Sequence, residues 1–308
     1  MHTPAYSHSS SSAPPLTAPG RGGGLLEVAR RRYLLRLLVR RELRSRYQGS
    51  LLGLGWSYVR PAVNFAVYFF VVGIFLKMSK AIPGYPVFLF SGMVVISFFT
   101  ETLITSTWSV IGNAPLVQKI YLPREMFPAS SALVSMVHML PGLAILWGGA
   151  LLGGWTPSAL GFGSMALGFA IVAVLGLAFG LLFAGINVFF RDFGQVVDIL
   201  NIVIPWTVPM IYPWTTVQES TGNGLGLQLY LANPLGTATL LFQRAFWWPA
   251  NPRQAHLPDG TPTFPDGRHA FPDHLTVRGL GSLLAAVVLL GLAQMVFFRL
   301  QRRFAQEL

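Results

Sequence analysis

Two ionisable side chains lie inside long apolar stretches of the sequence. Glu101 is the only charged residue of 87–111, and His138 is the only ionisable residue of 127–153. An ionised carboxylate at the centre of a bilayer costs about 2.5–3.5 kcal/mol on insertion scales, so we expect Glu101 to face protein or water. It is then either a proton relay or substrate contact, or a structural group hydrogen-bonded among the threonines at 100, 102 and 105.

Enzymatic chemistry finds little support in the remaining residues. The chain has no P-loop ending in Gly-Lys-Ser/Thr, so it has no recognisable nucleotide site. It contains no cysteine and no His-x-x-x-His spacing, which argues against thiol catalysis and a metal site. We therefore predict no catalytic residue, no metal and no cofactor on this chain. A multi-span glycan polymerase or acyltransferase stays open as an alternative, with Asp266, Asp273 or His274 as its catalytic base.

The composition indicates that membrane-embedded elements position Glu101 and His138. Hydrophobic residues make up 53% of the 308 residues and charged residues 11%, against about 25% charged in globular domains. Mean hydropathy is +0.54. Too few polar side chains remain to cover a water-soluble globule, so lipid is the expected solvent. The net charge of +11 would suit nucleic acid, but nine arginines lie in the first 46 residues, which favours a basic cytoplasmic end and no nucleic-acid partner.

The hydropathy pattern predicts an all-α integral membrane fold. Residues 1–24 are rich in Ser, Pro and Gly and predict a disordered tail, while 25–48 interleave leucine and arginine and predict an amphipathic helix in the membrane interface. Residues 49–308 then form the transmembrane domain. Its six predicted spans lie at about 56–76, 87–111, 127–153, 163–190, 196–213 and 279–298.

Loop charges set the predicted orientation. With six spans both ends lie on one side, and the arginines near each end place that side in the cytoplasm. The region 214–278 then lies outside the cytoplasm. Its segment 229–250 is better explained as a short helix or re-entrant hairpin before the last span than as a seventh span, which would put the C-terminal arginines outside.

Four ordered stretches are informative together. The first is RELRSRYQGS at 41–50, followed by Trp56 and Pro61, and the second is Asn113 with LVQK at 116–119 and LPRE at 122–125. The third is NVFFRD at 187–192, and the fourth is Asn233-Pro234 ahead of FWW at 246–248. In order and spacing they resemble the permease subunit of ABC-2-type polysaccharide exporters, which move O-antigen, capsule, teichoic acid, cell-wall galactan and related lipid-linked glycans.

The resemblance implies partners as well as a fold. It implies a homodimer enclosing a tunnel in the bacterial inner membrane, with two copies of a separate ATPase that carries the ATP and Mg. Residues 113–128 would be a coupling helix docked on that ATPase, through Lys119, Arg124 and Glu125. Arg191 and Asp192 would form a second contact, or only mark a helix end. An ABC-2 exporter of a drug or free lipid would share this architecture.

The resemblance also suggests where the substrate binds. A lipid-linked glycan has a diphosphate headgroup, for which the arginines of 30–46 offer a receiving patch. Our hypothesis is that Arg44, Arg46 and Arg60 recruit it, although these arginines could equally serve only to set the topology. Aromatic rings stack on sugar faces, so the candidate tunnel residues, which are otherwise lipid-facing or core, are Phe65, Tyr68, Phe69, Phe98, Trp206 and Tyr212.

Overall fold

Helices account for nearly all of the chain that the computed structural model describes, which is residues 24–49, 53–119, 122–250, 255–256, 262–264 and 268–308. The predicted disordered tail therefore lies outside the described residues, apart from Gly24. Within the described residues the only strands are β1, Ala255–His256, and β2, Pro262–Thr263, which pair antiparallel. Apart from this short ladder, the all-α prediction is confirmed.

The described residues contain fourteen α-helices. They are α1 Gly24–Arg30, α2 Arg32–Tyr47, α3 Trp56–Tyr68, α4 Met78–Ala81, α5 Tyr85–Gly112, α6 Ala114–Lys119, α7 Met126–Leu152, α8 Ala159–Phe189, α9 Phe193–Val203, α10 Trp214–Thr221, α11 Leu225–Leu231, α12 Pro234–Phe246, α13 Leu275–Leu300 and α14 Phe304–Glu307. Helix α3 continues as a π-helix over Phe69–Phe75. Short 3-10 turns cover Gly53–Gly55, Ile204–Trp206 and Gln301–Arg303.

Five helices are long and apolar enough to cross a membrane. They are Trp56–Phe75, Tyr85–Gly112, Met126–Leu152, Ala159–Phe189 and Leu275–Arg303. The shortest has 20 residues, which at about 1.5 Å per residue just spans a hydrocarbon layer of about 30 Å. A multi-pass membrane protein is therefore confirmed, with these helices at the predicted spans one to four and six.

The predicted fifth span, 196–213, is not a continuous helix. Helix α9 and the 3-10 turn after it hold 11 and 3 residues, or about 22 Å, which is short of the hydrocarbon thickness. Pro205 and Pro209 lack the amide hydrogen that a continuing helix needs, so the helix gives way to bends and turns.

The segment that contains α9 nevertheless covers most of the length of α5. At its start, Gly194 packs against the Trp108 ring. Near its end, the carbonyl of Ile211 accepts a hydrogen bond from the Tyr85 hydroxyl at 3.0 Å. Tyr85 and Trp108 are separated by about 35 Å along helix α5.

The two ends of the bundle differ in character. At the end that we call the basic end, a buried cluster containing Phe127, Val188 and Phe297 joins the ends of α7, α8 and α13. At the opposite or far end, Trp247 is fully buried, and its indole N–H donates to the carbonyl of Pro83 at 2.7 Å. The segments α10–α12 and the described part of 251–274 lie at this far end.

Helix α12 re-enters the bundle. Gly168 of α8 lies beside Ala238, and Gly161 lies beside Ala245, so α12 runs outward along α8 from a deep start at Pro234. Its 13 residues span only about 20 Å, which excludes a seventh full span at 229–250. Asn233 caps its first turn by accepting from the amide of Leu235.

Candidate functional site

A cavity of about 540 Å³ opens between α2, α3, α5 and α7, with one residue from α9. Its polar lining includes Arg46 from α2, Arg60 from α3, Glu101 from α5 and His138 from α7. Phe90, Met93, Phe98 and Met139 supply an apolar floor. The cavity therefore combines two guanidinium groups with the apolar surface that a lipid chain requires.

Glu101 is not an isolated carboxylate. Its Oε1 atom lies 2.5 Å from His138 Nδ1 and 3.1 Å from Arg46 Nη1. A second carboxylate, Glu42, lies 3.1 Å from Arg46 Nη2 and also accepts from the Ser131 hydroxyl at 3.1 Å. The sequence left open whether Glu101 is a relay or substrate contact or a structural carboxylate hydrogen-bonded to nearby threonines. The structure does not support the second interpretation at Thr105, because the Thr105 hydroxyl donates to the Glu101 backbone carbonyl and not to its carboxylate.

Glu101 lies in the half of helix α5 that is nearer the basic end. The helix has 28 residues, or about 42 Å. Counted from Tyr85 at the far end, Glu101 is about 24 Å along it, past its midpoint. Trp56, the first residue of α3, lines the same cavity. The polar part of the cavity therefore lies toward the basic end of the bundle.

The three predicted headgroup arginines do not converge. Arg46 and Arg60 line the same cavity, whereas Arg44 lines a separate groove with Arg40, Arg41 and Gln48. The reason is helical geometry, since two residues along α2 rotate the side chain by about 200°. We therefore restrict the headgroup hypothesis to Arg46 and Arg60.

The predicted tunnel aromatics also separate into groups. Phe98 lines the cavity, while Phe65, Tyr68 and Phe69 pack against the core, with Phe65 edge-on to Phe90 at 5.3 Å between ring centroids. Trp206 is 55% exposed at the end of the α9 segment. Tyr212 donates its hydroxyl hydrogen to the Trp206 carbonyl at 2.6 Å. Only Phe98 joins the cavity.

Some of the predicted ATPase contacts are exposed, whereas others bond within the protein. Lys119 is exposed at the end of α6, and Arg191 and Asp192 are exposed in the turn between α8 and α9. Arg124 instead donates to the Gln301 backbone carbonyl and lies 5.6 Å from the Phe304 ring centroid.

Glu125 is fully buried, so as placed it offers no surface to a partner. Its Oε1 accepts from Gln294 at 3.2 Å and from Gln301 at 3.0 Å. Sequence reasoning missed both glutamines, since nothing in the pattern distinguishes them from other polar residues near a helix end. Glu42, also missed, was recognisable as an i,i+4 partner of Arg46.

Among the described residues, the structure shows no arrangement of catalytic side chains that would support the enzyme alternative. Asp273 and His274 are exposed at the start of α13, and Asp266 lies outside the described residues. No group of three His, Asp or Glu side chains within the described residues is arranged to hold a metal ion.

Elsewhere at the far end, burial lowers the pKa of Arg244, which donates to the Thr276 hydroxyl at 3.0 Å.

Comparison with known proteins gives three relatives with the same name. The chain is 27% identical over 289 residues to the O-antigen export system permease protein RfbA of Myxococcus xanthus, a match covering 92% of this chain and 98% of that protein. It is homologous to O-antigen export permeases. Two proteins of that name from Klebsiella pneumoniae are 26% and 25% identical over 217 residues, covering 69% of this chain and 80% of each. No family model matches the chain.

These relatives confirm the resemblance to polysaccharide exporter permeases that the four sequence stretches indicate. Each is named as a permease, so a transport component is indicated and an enzyme is not. The cavity and the exposed turns at the basic end can therefore be considered as parts of a transporter.

Proposed function

We propose that this chain is the transmembrane permease subunit of an ATP-driven ABC exporter that moves a lipid-linked polysaccharide of the O-antigen type outward across a bacterial inner membrane. The observation that carries the proposal is the similarity to an O-antigen export permease over 92% of the chain. The five apolar helices support it. Because the sequence has no P-loop, ATP hydrolysis is assigned to a separate ATPase subunit.

The proposed arrangement has six crossings, with the α9 segment as the fifth. In support, this segment extends from Trp108 to Tyr85 on α5, even though its helix breaks at Trp206. A broken helix inside a membrane is tolerated where its free backbone groups face protein or a cavity. With six crossings both termini are cytoplasmic, and the basic end faces the cytoplasm.

The partners are proposed from the family resemblance. Two copies of the permease form the translocation path, and two ATPase subunits dock at the basic end. Lys119 on α6 and the exposed turn at Arg191 and Asp192 are the proposed contacts. Closure of the ATPases on ATP pushes these segments, and the bundle changes between two arrangements.

The cavity between α2, α3, α5 and α7 is the proposed receiving site for the diphosphate headgroup. Arg46 and Arg60 supply charge-assisted hydrogen bonds, and the apolar floor with Phe98 accepts the lipid chain. Replacing both arginines by glutamine should lower transport and leave basal ATP hydrolysis unchanged. Arg36→Gln, an exposed arginine of α2 outside this cavity, is the matched control. Unchanged transport in the double variant would disprove the receiving role.

The transporter class is tested by purification of the tagged protein from membranes in mild detergent. We expect a stoichiometric ATPase subunit to accompany it, and a pure protein without a nucleotide-binding partner would contradict the proposal. Deletion of the permease gene tests the cargo. Accumulation of a lipid-linked glycan in the cytoplasmic leaflet is expected, whereas an unchanged glycan pool would favour an exporter of a drug or free lipid.

A further inference from the structure

Arg46 is held by two carboxylates that belong to different helices. Its guanidinium lies 3.1 Å from Glu42 and 3.1 Å from Glu101. Glu42 precedes it by four residues on α2, so the two side chains move together as a helical pair. Glu101 is on α5, a different helix that lines the same cavity. It is therefore the partner that Arg46 can exchange for a ligand.

Glu101 has a second partner on the same oxygen atom. His138 Nδ1 contacts the Oε1 that Arg46 also contacts. A carboxylate that loses a charged partner at a partly buried site is costly unless another donor remains. Because α7 supplies that donor, Glu101 keeps a hydrogen bond when Arg46 turns away.

Arg60 completes the set of ionisable side chains that line the cavity within the described residues, together with Arg46, Glu101 and His138. The ion pairs found among the described residues do not include Arg60. Within the part of the chain that the structure describes, the cavity therefore combines one arginine that is paired with Glu101 and one that is paired with no carboxylate.

We propose that Glu101 is an internal counter-ion that occupies Arg46 while the cavity is empty and is exchanged for the diphosphate of an isoprenoid-linked substrate, with His138 retaining Glu101 after the exchange. The proposal rests on the proposed function and adds the residue that a headgroup must displace to reach Arg46. A diphosphate accepts from Arg46 and Arg60 at once. A phosphodiester of an ordinary phospholipid carries a single charge, as Glu101 does, and gains little by replacing it.

The test measures binding of farnesyl diphosphate to the full-length protein in phosphatidylcholine nanodiscs. Glu101→Gln removes the competing charge. A partly exposed ion pair is worth up to about 1 kcal/mol, so we expect affinity to rise by about fivefold. The gain should be as large for farnesyl monophosphate, so that the variant also binds this weaker ligand measurably. Unchanged or weaker binding of the diphosphate overturns the proposal, since a purely structural Glu101 predicts that result.

The control is Glu27→Gln, which removes a carboxylate paired with Arg31 at 2.5 Å outside the cavity. Its affinity should equal that of the unmodified protein, and a fivefold gain here would mean that any lost carboxylate raises affinity. Melting temperatures in the same nanodiscs verify that each variant is folded.

A second variant keeps the proposal testable if Glu101→Gln is unstable. His138→Leu leaves Glu101 without its second donor, so we expect diphosphate affinity to fall by about fivefold or more. Adding Glu101→Gln to His138→Leu should abolish this loss, because no carboxylate then needs a donor. Independent, additive effects of the two substitutions overturn the exchange.

Two further measurements distinguish a lipid-linked ligand from a soluble anion and test the proposed function independently of the exchange. Inorganic diphosphate should bind at least tenfold more weakly than farnesyl diphosphate, and equal binding would assign the cavity to a soluble anion and overturn the isoprenoid-linked ligand. Co-purification of an ATPase tests the function independently. If an ATPase co-purifies but Glu101→Gln does not change diphosphate affinity, the exchange is refuted and the proposed function is not. If Glu101→Gln raises the affinity as expected but no ATPase co-purifies, the proposed exporter is refuted and the exchange is not.

Discussion

The buried carboxylate of Glu125 is predicted to fix the start of α7 to the C-terminal segment. Replacement by alanine removes an acceptor that serves Gln294 at 3.2 Å and Gln301 at 3.0 Å in a fully buried site. A buried donor left without an acceptor costs about 1–3 kcal/mol. We therefore expect Glu125→Ala to lower the free energy of unfolding by about 2–4 kcal/mol, and the melting temperature by about 3–6 °C.

Thermal unfolding of the detergent-purified protein, followed by intrinsic tryptophan fluorescence, measures this loss. Glu125→Gln keeps an oxygen acceptor for the two glutamines, so it should retain most of the stability. Glu219→Ala removes an exposed carboxylate paired with Arg268 and should change stability by less than about 1 kcal/mol. Equal losses for the alanine and glutamine variants would refute the reasoning, because the acceptor would then not be what matters.

Three further predictions concern packing and partner contacts. Gly92→Ala should destabilise the protein by about 1–3 kcal/mol, because the new Cβ would lie 2.6 Å from Met210 Cγ. Its control is Gly148→Ala, where the new Cβ has no neighbour within 4 Å, so the same melting assay should show neutral or raised stability. Trp247→Phe should cost about 1–3 kcal/mol by leaving the partly buried Pro83 carbonyl without its indole donor, as the same melting assay measures. Lys119→Glu should reduce recovery of the ATPase in pull-downs without changing the melting temperature, and full recovery would exclude this lysine from the contact.

Sequence reasoning located the long helices because their signal is local. A run of some 20 apolar residues with at most one charge is sufficient to identify α5, α7, α8 and α13. The same criterion does not reveal that 196–213 is a broken helix, because apolar content is high there while Pro205 and Pro209 interrupt the helix. Counting apolar residues measures affinity for lipid, whereas continuity of a helix depends on backbone donors that proline lacks.

The candidate site was only partly predictable, for a different physical reason. Glu101 and His138 stood out as ionisable residues in apolar surroundings, but they are 37 residues apart, and Arg46 is 55 residues from Glu101. Local periodicity carries no information about which helices become neighbours. The separation of Arg44 from Arg46 was accessible, since helical phase alone puts them on opposite faces.

Helix α2 connects the cavity with the proposed coupling segment. Its Arg41 donates to the Asn113 side chain at 3.0 Å, at the start of that segment, while Arg46 reaches Glu101 in the cavity. These two arginines are about 8 Å apart along one continuous helix. On the proposed function, a displacement of the coupling segment by the ATPase would reach Arg46 through a helical element of little more than one turn. By the same path, exchange of Glu101 for a headgroup would change what α2 contacts, so substrate arrival and ATPase movement would both bias the position of this helix.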